Sequence, residues 1–207
     1  MPSSKRPSPR KPPTPAFGDH SSDSDLLAGI AAGSAVAFDV LFARFSSGIL
    51  VFVTRLAGRQ IDPDDLLQET FLRVLRHAGT YRSGYPVRPW LYAIARHVVF
   101  DALKRRARGA QTISSKPDDG EDFWARQPSH EPSDSPASAP NNGETREKVI
   151  AALERLPAAH REVVILGYFE QMSYEQISQI TLESEGTLRS RMFYALRKLK
   201  DIIKEMP

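Results

Sequence analysis

Cysteine is absent from the 207 residues of this chain. Its absence excludes disulfide bonds, thiol catalysis and cysteine-ligated zinc. No apolar run approaches the roughly 18 residues that a membrane span needs, and residues 1–6 lack the apolar core of a secretory signal. No glycine-rich phosphate loop and no nucleophile elbow occurs. The sequence therefore predicts a soluble, cytoplasmic protein that is not an enzyme.

Charges of the two signs nearly cancel overall, with 28 Lys and Arg against 25 Asp and Glu, but they are sorted along the chain. Residues 1–16 carry basic groups and no acidic ones, residues 109–144 are mainly acidic, and residues 186–207 are again mainly basic. A nucleic-acid partner would favour such sorting.

Composition and periodicity divide the chain into four segments. Residues 1–24 are rich in Pro, Ser and basic groups and predict a disordered basic tail. Residues 25–108 and 145–207 both show helical spacing of apolar residues. Residues 109–144 are acidic and crowded with Ser, Pro, Asp and Gly, and only Phe123 and Trp124 interrupt their polarity. We therefore predict an all-α protein with two small helical domains joined by a flexible acidic linker.

The first helical domain contains a clear helix start and a basic helix end. Asp62 is placed to cap a helix that begins at Pro63 and runs to about His77. Its inward residues are predicted to be Leu67, Phe71, Val74 and Leu75. A long helix over residues 88–108 then ends in the basic string Lys104-Arg-Arg-Ala-Arg108, with aromatic residues before it. This combination fits single-stranded nucleic acid, but it fits a solvated helix end equally.

The second domain ends in two helices with the dimensions of a helix-turn-helix. A short helix over residues 173–180 starts with a capping-box pattern, and a longer helix begins at Ser184 or Glu185. Four residues of the longer helix lie off its apolar stripe and could contact base edges or phosphates: Arg189, Ser190, Phe193 and Arg197. An ordinary amphipathic helix pair with a solvated charged face remains the alternative.

A metal site is an alternative interpretation of the acidic cluster at Asp62, Asp64, Asp65 and Glu69. Their position at a helix start explains these carboxylates, since negative charge stabilises the positive end of a helix. No histidine stands near them in the sequence. We predict no metal site, no catalytic residue and no cofactor.

Several strings resemble a known family. Asp62-Pro-Asp-Asp-Leu-Leu-Gln-Glu-Thr-Phe, Arg88-Pro-Trp-Leu-Tyr-Ala-Ile-Ala-Arg and Asp101-Ala-Leu-Lys-Arg-Arg resemble region two of bacterial extracytoplasmic-function (ECF) sigma factors, group IV of the sigma-70 family. Tyr168-Phe-Glu-Gln-Met-Ser-Tyr-Glu-Gln-Ile and Glu185-Gly-Thr-Leu-Arg-Ser-Arg resemble region four. The resemblance covers both helical domains in family order.

The resemblance implies an alternative sigma factor that joins core RNA polymerase, through its β′ clamp and β flap, and directs it to promoter DNA. Such factors commonly serve stress or envelope responses and are held by an anti-sigma factor. By resemblance, the β′ clamp would face Asp62, Asp64, Asp65, Gln68 and Glu69. The minus-10 element would meet Arg96, His97, Lys104 and Arg105. The minus-35 element would meet Arg161, Arg189, Ser190, Arg191, Phe193 and Arg197.

Three positions depart from the family pattern. His97 stands where asparagine is usual, Tyr194 where arginine is common, and Leu182-Glu183 replaces the usual glycine and apolar residue of the turn. The last change predicts a looser turn. The alternative function is a DNA-binding regulator that acts without joining polymerase, but it leaves the pattern over residues 62–108 unexplained.

Overall fold

The computed structural model of this chain describes residues 17–108 and 143–206, and every regular element in those two stretches is helical. We call residues 17–108 the first unit and residues 143–206 the second unit. The first unit contains α1 (Asp23–Ala31), α2 (Ala35–Ala57), α3 (Pro63–His77) and α4 (Val87–Arg108). The second contains α5 (Gly143–Glu154), α6 (Ala158–Val164), α7 (Tyr174–Thr181) and α8 (Glu185–Lys204). The prediction of an all-α fold with two helical regions is confirmed. Most of the predicted linker, including Phe123 and Trp124, lies outside the described residues.

Side-chain caps fix where most of these helices begin. The Asp62 side chain accepts a hydrogen bond from the backbone N–H of Asp64 at 2.9 Å, and Pro63 is the first residue of α3, as predicted. Ser173 and Gln176 form a reciprocal capping box at α7, and Ser184 caps α8. These local bonds place the helix starts at the positions that the sequence indicated.

The core of the first unit forms around α2, which packs against α1, α3 and α4. Leu41, Phe52 and Trp90 are buried there, and the ring centres of Phe52 and Tyr92 are 5.1 Å apart. Burial of such large apolar side chains is the main favourable contribution to folding.

The first unit begins earlier than the sequence predicted. Residues 17–24 were assigned to the disordered tail, but Ser22 caps α1 and Phe17 packs against the core. The Phe17 ring lies so close to Gly29 that a Cβ atom at that position would overlap it. Because glycine has no side chain, it leaves room for this single aromatic anchor.

Helix α2 is long and apolar enough to cross a membrane by length and composition alone, although no uninterrupted apolar run reaches that length. Its residues Leu41, Ile49, Phe52 and Val53 are fully buried against the neighbouring helices. Core packing therefore accounts for part of its apolar character, while Val36, Phe42 and Val51 of the same helix are exposed.

The second unit packs α8 against α5, α6 and α7. The helix predicted over residues 158–169 is continuous, but its second half, Ile165–Phe169, is a wider π-helical turn. The two units also contact one another, because α4 packs against α7 and α2 approaches both α5 and α6. The structure thus shows a closed arrangement, which the sequence did not predict.

Candidate nucleic-acid and protein interfaces

The acidic face of α3 presents three exposed polar residues near the start of the helix. Asp64, Asp65 and Gln68 are exposed and lie on adjacent turns. Asp62 is exposed as well, but its carboxylate caps the helix. The positive end of the helix dipole stabilises the aspartates without a partner protein. This face is therefore negatively charged and exposed to solvent, which would favour contact with a basic surface.

Glu69 differs from the other residues predicted for this interface because its carboxylate is already engaged. It accepts hydrogen bonds from Arg73 at 2.9 Å and from Arg76 at 3.3 Å. Arg73 also donates to Asp101 of α4 at 2.8 Å. Glu69 thus belongs to an ionic network that ties α3 to α4, and its contact with polymerase stays a prediction.

The acidic face continues into an exposed apolar patch at the end of α3. Leu72 and Leu75 each expose 44% of their surface. The prediction that Leu75 faces inward is wrong, since Leu66 is buried in the core instead. The broad apolar stripe of α3 is wider than the surface that α2 and α4 cover.

The four residues predicted to meet minus-10 DNA fall into two pairs on α4. Lys104 and Arg105 are exposed at the C-terminal end of the helix. Arg96 lies beneath the second unit, where its guanidinium binds the Glu162 carboxylate and stacks 4.8 Å from the centre of the Phe100 ring. The closed arrangement therefore covers Arg96 and leaves Lys104 and Arg105 open to solvent.

His97 is a neutral imidazole in this arrangement. Burial, and then the positive charge of Arg96, lowers the pKa of His97 to about 4. At neutral pH this side chain carries no charge and cannot neutralise a phosphate. Hydrogen bonding to a base is the interaction that a neutral histidine can still offer.

The outer face of α8 carries four of the six residues predicted to meet minus-35 DNA. Arg189, Ser190, Phe193 and Arg197 are all exposed, on one side of the helix that follows the turn. The Arg189 guanidinium binds Glu185 at 3.1 Å and lies 4.7 Å from the centre of the Tyr174 ring. These contacts orient Arg189 at the point where α7 and α8 meet.

The two remaining minus-35 residues are engaged inside the protein. Arg191 pairs with Glu183. The Arg161 guanidinium donates to the backbone oxygens of Leu153 at 2.9 Å, Glu154 at 2.8 Å and Leu156 at 3.2 Å. Arg161 thereby caps the end of α5. Its contact with a DNA backbone stays a prediction.

The turn of the helix-turn-helix is held by hydrogen bonds despite its unusual sequence. The Ser178 hydroxyl donates to the Glu183 carbonyl at 2.7 Å, and the Leu182 N–H donates to the Ser178 carbonyl at 2.8 Å. Leu182 adopts φ +59°, a left-handed conformation that favours glycine. The turn is therefore ordered but strained, not loose as predicted.

We expect Leu182→Gly to raise the free energy of unfolding by about 0.5–1 kcal/mol, because it removes the left-handed strain and outweighs the extra entropy of an unfolded glycine. The Leu182 side chain is 47% exposed, so little packing is lost. Urea unfolding followed by circular dichroism measures the change. Leu75→Gly is the matched control, since Leu75 is similarly exposed in a helix interior and should lose about 1 kcal/mol. Equal destabilisation by both variants would contradict the strain.

Sequence reasoning missed the carboxylates that join the two units, Glu162 and Glu170. The Glu162 carboxylate accepts a hydrogen bond from Arg96, and the Glu170 carboxylate accepts hydrogen bonds from Arg88 and Tyr92. Glu162 stands directly before the apolar run of residues 163–166, and this position in the sequence does not name its partner. Among the residues that the structure describes, no group of His, Cys, Asp or Glu side chains could hold a metal ion.

Two family profiles match the two helical units of this chain. The family profile "Sigma-70 region 2" matches residues 41–109, which hold the acidic face and the basic helix. The profile "Sigma-70, region 4" matches residues 146–199, which hold the helix-turn-helix. Together the two profiles cover more than half of the chain.

Two curated relatives match nearly their whole length. The chain is 34% identical to the RNA polymerase sigma factor CarQ of Myxococcus xanthus over 174 residues, which cover 84% of this chain and 93% of that protein. It is 29% identical to the ECF RNA polymerase sigma factor SigL of Mycobacterium tuberculosis over 181 residues, which cover 87% of this chain and 96% of that protein.

Two solved structures share the fold. The structure of CnrH, solved with the cytosolic domain of CnrY, gives a TM-score of 0.63 at 21% identity and covers 89% of this chain and 99% of that one. The sigma factor RpoE of Bartonella quintana, solved with the anti-sigma factor NepR, gives 0.62 at 22% identity and covers 82% and 98%. The chain therefore belongs to the ECF sigma factors of the sigma-70 family, alternative sigma factors that bind core RNA polymerase, direct promoter-specific initiation of transcription and are not enzymes.

Proposed function

We propose how this sigma factor divides its work among three surfaces. The acidic face of α3 binds the β′ clamp of core RNA polymerase, the basic end of α4 meets the minus-10 element, and the outer face of α8 reads the minus-35 element. The second unit also meets the β flap. Because the protein works on polymerase and chromosomal DNA, we place it in the cytoplasm.

The observation that carries this proposal is the exposed outer face of α8. Arg189 and Phe193 are one turn apart, and Arg197 follows after another turn. A recognition helix in the major groove needs this spacing, because the groove admits successive residues of one helix side. Arginine pairs with a guanine edge or a phosphate, and an aromatic ring can contact a thymine methyl group.

The acidic face supports the polymerase assignment by charge and exposure. Asp64, Asp65 and Gln68 stand clear of the core, and the exposed leucines Leu72 and Leu75 extend the same surface. Charged residues around exposed apolar groups are typical of protein interfaces, in which charge steers association and apolar burial holds the complex.

A protein inhibitor is the second proposed partner. The solved structures of RpoE and CnrH were determined with the anti-sigma factor NepR and with the cytosolic domain of CnrY. The acidic face and the outer face of α8 are both exposed in this chain. We propose that an anti-sigma factor covers one of these faces until a stress or envelope signal releases it.

Transcription in vitro tests the proposed function. Core RNA polymerase with this chain is expected to initiate at a small set of genomic promoters, and core polymerase alone is not. Sequencing the 5′ ends of the transcripts gives the start sites and the shared upstream elements. Transcripts without a shared element near minus-35 would contradict the role proposed for α8.

A further inference from the structure

One face of α4 is the contact surface for the second unit. Arg88, Tyr92 and Arg96 are spaced four residues apart and therefore lie on the same side of the helix. Arg88 donates to a carboxylate oxygen of Glu170 at 3.2 Å, and the Tyr92 hydroxyl donates to the same oxygen. Arg96 donates to Glu162 from its Nε and from a terminal nitrogen. All three side chains thus reach carboxylates of the other unit.

The two carboxylates are nearly removed from water. Glu162 exposes 1% of its surface and Glu170 exposes 7%. Burial raises the pKa of Glu162, and the charge and hydrogen bonds of Arg96 oppose that shift. A buried carboxylate is costly unless a cation and hydrogen bonds compensate the lost water. The compensating donors come from α4, so each unit satisfies groups that belong to the other.

The two units share a continuous apolar core, but part of the contact between them is polar and incompletely filled. Arg161 donates to the backbone oxygen of Leu56 at 3.1 Å, and the Arg55 guanidinium lies 4.0 Å from the centre of the Phe169 ring. A cleft of about 1240 Å³ remains open beside them, with Val51 and Ile150 among its lining residues. A well-packed protein interior leaves few voids of that kind.

This chemistry favours a closed arrangement that can open. Buried ion pairs add little net stability, because the cost of removing both charges from water offsets their attraction. They do select one packing of the two units, since any other packing that buries these groups leaves a charge unpaired. When the units separate, Arg96, Glu162 and Glu170 regain their hydration. This regained hydration lowers the free energy of opening, and the helices of each unit need not unfold.

We infer that Glu162 and Glu170 take the place of DNA phosphates on α4 and hold the free chain closed. We call these two residues, together with Arg88, Tyr92 and Arg96, the latch. A guanidinium fork binds a carboxylate and a phosphate by the same geometry. A DNA strand reaches Arg96 only after Glu162 has left. The inference rests on the proposed function in one respect, namely that α4 contacts promoter DNA.

Distance measurements on the full chain test the latch without polymerase or DNA. Because the chain has no cysteine, spin labels can be attached only at the introduced residues of Ser47→Cys and Lys200→Cys, one exposed position in each unit. The labelled chain should give one narrow distance. Adding Glu162→Gln and Glu170→Gln should shift most molecules to longer, broader distances. An unchanged distribution, or a broad one in the parent, overturns the latch.

Two further variants separate opening from misfolding. Arg96→Glu should open the chain, because two buried carboxylates would face each other, and Arg96→Glu with Glu162→Arg should close it again. Rescue by the swap is not expected from a folding defect. Glu205→Gln is the matched control, since Glu205 pairs with Arg155 at 3.2 Å inside the second unit. Opening by Glu205→Gln, or no rescue by the swap, contradicts a specific latch.

A binding assay tests the competition with phosphate. The probe is a fluorescein-labelled single strand of 20 nucleotides of mixed sequence. Glu162→Gln with Glu170→Gln keeps the arginines of α4, so it should bind about tenfold more tightly than the parent if the open state is about a tenth of the free chain. Wider distances with unchanged affinity would overturn the phosphate role of the carboxylates. Polymerase-dependent transcription would then still test the proposed function separately.

Discussion

Replacing Asp64 and Asp65 with lysine is expected to weaken binding to core RNA polymerase by about 100-fold or more. Like charges brought together at an interface cost several kcal/mol, and about 1.4 kcal/mol corresponds to each tenfold loss in affinity. Both aspartates are exposed at the first turn of α3, so the substitutions remove no buried contact. The helix itself should lose only about 0.3–1 kcal/mol for each lost dipole interaction. Fluorescence anisotropy of the labelled chain, titrated with core polymerase, measures the affinity.

The control for this prediction makes the same charge change elsewhere on the first unit. Asp19→Lys with Asp39→Lys also replaces two exposed carboxylates, but both lie outside α3. This control should bind within about twofold of the parent at 0.15 M salt, where exposed charges beyond about 8 Å are screened. Equal losses in both double variants would show that net charge, and not the acidic face, governs the association.

The helices of this protein were predictable because their signals are local. Asp62 with Pro63, and Ser173 with Gln176, specify helix starts within four residues of sequence. The exposure of Arg189 and Phe193 on α8 was predictable for the same reason, since helical periodicity separates them from the buried stripe. Such features need no knowledge of the remaining chain.

The latch was not predictable because its pairs are remote in sequence. Arg96 and Glu162 are separated by 66 positions, and Tyr92 and Glu170 by 78. Helical periodicity describes each side chain's own helix and does not specify which helix it meets. The same limit explains the error at Leu75, because the width of the covered stripe depends on the neighbours of α3.

The closed arrangement changes what an inhibitor of this sigma factor would have to cover. A flexible linker alone would leave every surface of both units open to an inhibitor. The units instead contact one another, and Arg96 is already occupied by Glu162. The acidic face of α3 and the outer face of α8 remain exposed. We therefore expect an anti-sigma factor to cover one of these exposed faces and to add to the restraint of the latch.

Promoter recognition by α8 gives the second large expected effect. Arg189→Ala should weaken binding to the cognate promoter by about 1–3 kcal/mol and relax discrimination at one minus-35 base pair. Glu185 and the Tyr174 ring orient the Arg189 guanidinium in the free protein. Little side-chain conformational entropy is therefore lost when Arg189 binds a base. The measurement uses holoenzyme and a promoter library randomised across the minus-35 element. The sequences enriched by the parent are compared with those enriched by Arg189→Ala.

Arg197→Ala is the matched comparison, because it removes the same group from the same exposed side of α8 two turns further on. A phosphate contact carries no sequence information, so this variant should weaken all library members about equally and lower the slope of log affinity against log salt by about one. The two arginines would then differ in kind: Arg189 changes which promoters are chosen, and Arg197 changes how tightly all of them are bound. Unchanged base preferences in Arg189→Ala would show that it, too, contacts only the backbone.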